Sequence, residues 1–191
     1  MSLSKSSRYL AMLSALLSIG AIAMAQDASS PKRAADVVKA HPYVSLDPVP
    51  RGKTFEAAVV VQIAEGYHMN SHKPSDAYLI PTTLTPKLPE GIHLVDTIYP
   101  PGRLKKFAFS PDKPLDVYSG SVTLRLKLTA QDSAAIGATT IPMVLRYQAC
   151  NNSACLPPVK IPVTAELKIA AAGATAKPVH SDVFAAPKPS N

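Results

Sequence analysis

Short apolar runs that alternate residue by residue, cut apart by prolines, constrain this chain more than any other feature. Its 19 prolines recur between such runs. Each fixes φ and removes an amide donor, which breaks a helix interior but suits strand edges and turns. Val122 to Thr129 alternates without a fault, with Leu124, Leu126 and Leu128 on one face and Thr123, Arg125 and Lys127 on the other. Phe55, Ala57, Val59, Val61 and Ile63 form a second such face. Ile141, Met143, Leu145 and Tyr147 run into Cys150, and Ile161, Val163, Ala165, Leu167 and Ile169 run out of Cys155. Weaker strand signals cover Val37 to Leu46, broken at Pro42, then Tyr67 to Ser71, Tyr78 to Thr85 and Ile92 to Ile98. This pattern of at least seven strands, with no long helical period, predicts an all-β, immunoglobulin-like antiparallel β-sandwich. Leu124, Leu126, Leu145, Ile161 and Val163 are expected between its sheets.

The ends of the chain read differently. Lys5 and Arg8 precede an apolar stretch from Tyr9 to Ile22, and Ala23-Met24-Ala25 is an A-x-A cleavage site. Residues 1–25 are thus expected to be a cleavable signal peptide, with Gln26 the mature N-terminus. No cysteine follows the cleavage site, so no lipid anchor is expected there. No other run is long and apolar enough to span a bilayer, so the mature chain is expected to be soluble and exported. Residues 26–35 read as a polar linker, 36–170 as one domain, and 171–191, rich in Ala, Gly, Pro and Lys, as a disordered tail. The formal net charge of +7 falls by two when Lys5 and Arg8 leave with the signal. Arg103, Lys105 and Lys106 are the densest basic cluster and read as a solvated face. No aromatic-basic interleaving points to nucleic acid.

The two cysteines sit in Tyr147-Gln148-Ala149-Cys150-Asn151-Asn152-Ser153-Ala154-Cys155-Leu156-Pro157-Pro158. With a strand on each side, the pair is expected at a hairpin tip, joined by turn residues. Three readings stay open on the cysteines alone. A structural disulfide suits an exported domain, though so short a loop contributes only about 2 kcal/mol by chain entropy. A redox-active pair suits the close spacing and the accessible tip. A metal site needs further ligands, and no second Cys-x-x-Cys exists. His68 and His72, four residues apart on an extended strand, with Met69 or Met143, raise a copper reading, but the blue-copper ligand order is absent. No metal or cofactor is expected. No Ser/His/Asp order, paired carboxylates or phosphate loop stands out.

Three ordered motifs carry a resemblance. Gly66-Tyr67-His68-Met69-Asn70-Ser71-His72-Lys73-Pro74-Ser75-Asp76-Ala77-Tyr78-Leu79-Ile80-Pro81-Thr82, then Tyr99-Pro100-Pro101-Gly102, then the cysteine segment, resemble the N-terminal periplasmic domain of the DsbD family. These are thiol:disulfide interchange proteins, also called protein-disulfide reductases. The resemblance spans about residues 36–170. It implies an immunoglobulin-like domain that takes electrons from a thioredoxin-like domain and reduces periplasmic partners. Cys150 and Cys155 would be its redox pair, and Asp96 to Gly102, with Tyr99, a cap over the disulfide. His68 and Asn70 would lie beside the cysteines. Better-known members have one more residue between the cysteines, a Phe-Tyr pair at the cap tip where Ile98-Tyr99 stands here, and tyrosines near His68 and Asn70. Their membrane and thioredoxin-like domains have no counterpart here, so the electrons are expected from a separate thioredoxin-like or membrane electron-transfer protein.

Within that reading, a protonated His68 would raise the thiolate fraction of a neighbouring cysteine. Cys155, followed by a stiff Leu-Pro-Pro edge, is expected to attack, and Cys150, at the end of a regular strand, to be the buried resolving residue. The competing reading is a non-catalytic exported binding module with a structural disulfide.

Overall fold

The alternating runs form the two large sheets of a sandwich in the computed structural model, which describes residues 33–185. The signal segment and most of the linker lie outside the described residues. After a single 3-10 turn, Ala34–Val37, the strands are β1 (Val38–Val44), β2 (Leu46–Asp47), β3 (Val49–Pro50), β4 (Thr54–Ile63), β5 (His68–Asn70), β6 (Thr83–Pro86) and β7 (Ile92–Ile98). They continue with β8 (Arg103–Phe107), β9 (Ser110–Tyr118), β10 (Ser121–Ala130), β11 (Gly137–Tyr147), β12 (Ala149–Cys150), β13 (Val159–Ala170) and β14 (Lys177–Pro178), and a one-turn helix, α1, covers Ser181–Phe184. One sheet has the order β1-β4-β10-β7 and the facing sheet β3-β13-β11-β6. All pairs are antiparallel except the short β3–β13 contact. The architecture is the immunoglobulin-like sandwich expected from the sequence.

The period-two pattern explains the core. Leu124, Leu126 and Leu128 of β10, Val59 and Val61 of β4, and Ile141 and Leu145 of β11 are fully buried in one cluster shared by both sheets. Each such side chain contributes roughly 2 kcal/mol relative to exposure. Val163 is buried beside them, and Ile161 packs half-buried against the same cluster. The prolines fall where the ladder needs no donor. Pro42 lies on the edge strand β1. Pro162 lies in a part of β13 that pairs only with β11, because β3 meets β13 at Ile169 and Ala170 alone.

Two expectations are corrected. Strand pairing in the Tyr78 to Thr85 region is confined to β6; residues 78–82 are loop, held where Asn70 and Gln148 bond its backbone. The segment after Ala170 is ordered through residue 185. Lys177 and Pro178 pair with Asp47 and Leu46, the Val179 amide donates to Ser45 O at 3.0 Å, and the His180 ring meets Tyr43 edge-on at 5.0 Å. Arg125 donates to Phe184 O at 3.2 Å. Composition hid these anchors among alanines and prolines.

A third sheet, β12-β5-β9-β8, carries the cysteines. β8 and β9 had no clear sequence signal, since Arg103, Lys105 and Lys106 interrupt one and Pro111 and Pro114 the other. They join through a two-residue turn, Ala108-Phe109, with Phe107 paired to Ser110.

Candidate functional site

β11 delivers the chain to the site. Tyr147, fully buried, donates from its hydroxyl to Ala34 O at 2.8 Å, and the strand then steps into β12. There Cys150 pairs with His68 of β5 and forms a bridge with Cys155 on its other side. The two cysteines are disulfide-bonded with Cα atoms 3.9 Å apart. The loop between them is shaped by Asn151. Its Oδ1 accepts the Ser153 and Ala154 amides at 2.8 and 2.9 Å, and its own amide donates to Ala154 O at 2.9 Å. This is an Asx turn with no left-handed residue. The Leu156 amide donates to Ala149 O at 2.8 Å and closes the hairpin.

The two sulfurs differ in access. Cys150 is fully buried, whereas Cys155 is exposed, followed by the half-buried Leu156 and the exposed Pro157 and Pro158. Pro157 and Pro158 cannot donate backbone hydrogen bonds, so the chain beyond Cys155 leaves an open rim.

Asn70 is a brace. It is fully buried, and its Nδ2 donates to Ile80 O at 3.1 Å and to Gln148 Oε1 at 3.3 Å. Gln148 Nε2 in turn donates to Leu156 O at 3.4 Å. One network therefore ties β5 and the 78–82 loop to both flanks of the cysteine hairpin.

His68 is 1% exposed. Its ring stacks on Phe107 at 3.9 Å, and its Nε2 has no hydrogen-bond partner. Burial, and secondarily the positive charge of Lys105, push its pKa down to about 4. The expected imidazolium beside the thiolate is therefore corrected: the ring is neutral at pH 7. His72 does not share its strand face, because β5 ends at Asn70. Its ring stacks on Tyr99 at 3.7 Å, and no group of three or more metal-ligating side chains occurs among the described residues.

Tyr99, expected as part of a cap over the disulfide, follows directly on β7. Asp96 and Ile98 pair with Lys127 and Arg125 inside the large sheet. The Tyr99 hydroxyl accepts the Leu84 amide at 2.9 Å, and Pro100 O accepts the Tyr118 hydroxyl at 2.9 Å. The segment is pinned from three sides. The cysteine sheet itself carries Tyr118 in β9 and Phe107 in β8, and Phe107, 4% exposed, stacks at 5.4 Å on Phe109, 39% exposed. Sequence reasoning missed them. The signal available was a Phe-Ala-Phe turn between two charged segments.

Residues 34–166 match the family model described as "Thiol:disulfide interchange protein DsbD, N-terminal". No curated protein matches the chain significantly. Among solved structures, the reduced DsbD N-terminal domain of Neisseria meningitidis is 19% identical with a TM-score of 0.39, over 71% of this chain and 88% of that one. The N-terminal periplasmic domain of ScsB from Proteus mirabilis is 15% identical with a TM-score of 0.47, over 70% of this chain and 47% of that one. A complex between the DsbD N-terminal and PilB N-terminal domains of Neisseria meningitidis matches at 17% identity and a TM-score of 0.38, over 64% of this chain and 80% of that one.

Proposed function

Because this chain belongs to the DsbD N-terminal domain family of thiol:disulfide interchange proteins, we propose that its Cys150–Cys155 pair passes electrons between a thioredoxin-like or membrane reductase and envelope partner proteins in the periplasm. The observation that carries this reading is the asymmetry of the pair at a hairpin tip: Cys155 exposed, Cys150 fully buried.

The asymmetry supports an order. A partner thiolate attacks Cys155 Sγ, the Cys150–Cys155 bond breaks, and Cys150 leaves as a thiolate that takes up a proton. The partner's second thiolate then attacks its own sulfur in the mixed disulfide and frees Cys155. Two electrons pass to this chain and the partner is left with a disulfide. In the onward direction Cys155 attacks a partner disulfide and Cys150 resolves the mixed species.

A buried thiolate is costly without a donor, so the Cys150 leaving group needs one. His68, directly across from Cys150 in the ladder, has a Cβ about 5 Å away at such a position. As a neutral imidazole with an unpartnered Nε2, it donates an N–H to the Cys150 sulfur when the disulfide opens. Asn70 positions the hairpin. The Phe107–Phe109 turn takes the covering role assigned to Tyr99 by resemblance. Arg103, Lys105 and Lys106 adjoin it.

Trapping tests the order. Cys150→Ser should accumulate a mixed disulfide with a thioredoxin-like partner in the envelope, and Cys155→Ser far less. The reverse pattern exchanges the roles. Absence of trapping in both, with loss of stability in both, makes the bridge structural and the protein a binding module.

A further inference from the structure

We propose that the outer edge of β8, formed by Arg103, Leu104 and Lys106 with Phe109 of the adjoining turn, is the docking surface for an acidic face of the thioredoxin-like protein that reacts at Cys155. The inference rests on the exchange reading above and adds the charge and the place of the partner.

β8 is the outermost strand of the cysteine sheet, so its far edge presents backbone groups that pair with no neighbouring strand. Arg103 and Lys106 are exposed and take part in no ion pair among the described residues. Lys113, on the neighbouring strand, is already neutralised by Asp76. Lysines on an edge strand also serve simply to prevent edge-to-edge aggregation. That role does not call for apolar groups among them. Yet Leu104 is 72% exposed between the cations, and Phe109 39% exposed at the end of the strip. Leu104 faces Asp116 across the ladder, and exposed apolar groups beside unpaired cations suit a docking surface better than a purely solvated edge.

Distance permits one partner to use both features. β8 lies three strands from β12, which is about 14 Å at the usual strand spacing. A standard interface covers about 800 Å² on each partner and so spans roughly 30 Å. The strip is also mechanically continuous with the pair: Phe107 of β8 stacks on His68, and His68 is the ladder partner of Cys150. Opposite charge on the partner would raise the encounter rate and orient its nucleophile toward Cys155.

The test is the second-order rate at which a reduced thioredoxin of net negative charge reduces the wild-type disulfide, set beside the rate with uncharged dithiothreitol. The thioredoxin rate should fall about tenfold between ~20 mM and ~0.5 M salt, as steered association does. Arg103→Glu/Lys106→Glu should lose about tenfold at low salt and recover part of that loss as salt screens the new repulsion, with the dithiothreitol rate unchanged. Should that variant fail to fold, Arg103→Gln/Lys106→Gln should show a smaller loss of the same kind. A thioredoxin rate independent of salt and of these substitutions overturns the docking surface and leaves the exchange function standing. A disulfide reduced by dithiothreitol but by no thioredoxin overturns both.

Discussion

His68 enters the fold with its ring on Phe107 and its Nε2 unpartnered, and both features have a measurable cost. The unfolded imidazole takes up its proton near pH 6.5, whereas the folded one does so only at about 4. Between those values the unfolded state binds the additional proton. Stability is therefore complete above pH 6.5 and falls as the pH drops toward 4, by up to about 3 kcal/mol. His68→Phe keeps the stack and removes the titration. Its urea midpoints at pH 7.5 and 4.5 should differ much less than those of the wild type. An equal difference in both proteins would place the dependence on another group. The same variant should raise the pKa of the buried thiol in reduced protein, read from thiolate absorbance, because the donor to Cys150 is gone.

At the scale of elements, the β8–β9 hairpin and the Tyr99 segment compete for the role of cover. Tyr99 is fixed by the Leu84 amide and by the His72 stack, and its chain runs straight from a paired strand. Phe109 occupies a two-residue turn and stacks on Phe107. Phe109→Ala should therefore speed reduction by dithiothreitol severalfold, and Tyr99→Ala should leave it unchanged. The opposite result would return the cover to Tyr99. The difference also shows what could be read in advance. β4, β10, β11 and β13 were legible because each buries one face and exposes the other, which forces an apolar residue at every second position. β8 buries Phe107 alone, so no alternation exists to find. The cysteine hairpin was legible from turn chemistry, and the buried–exposed order of its two sulfurs from the regular strand before one and the Leu-Pro-Pro after the other. The neutral state of His68 was not, because it depends on Phe107, which is 39 residues away in the chain. The ordered segment after Ala170 was hidden for a similar reason: its partners are Tyr43, Ser45 and Arg125, none of them near in sequence.

Across the whole molecule, apolar burial is divided. The sandwich shares one large cluster, while Leu79, Phe107, Leu115 and Val117 form a second, separate one under the cysteine sheet. Among the described residues, the four side chains of the second cluster hold far less free energy than the twenty-six of the main one, so the two are expected to open at different cost. In amide hydrogen exchange, β8 and β9 should exchange through a local opening well below the global unfolding free energy, and β4, β10 and β11 only through the global one. Equal protection throughout would mean that the molecule opens as a single unit. If β8 and β9 exchange in this way, Phe107 belongs to a small piece that lets go and re-forms many times while the sandwich stays folded. Access to the disulfide would then be set by the equilibrium constant of that one piece, and a substitution as distant as Leu115→Ala should raise it without touching either sulfur.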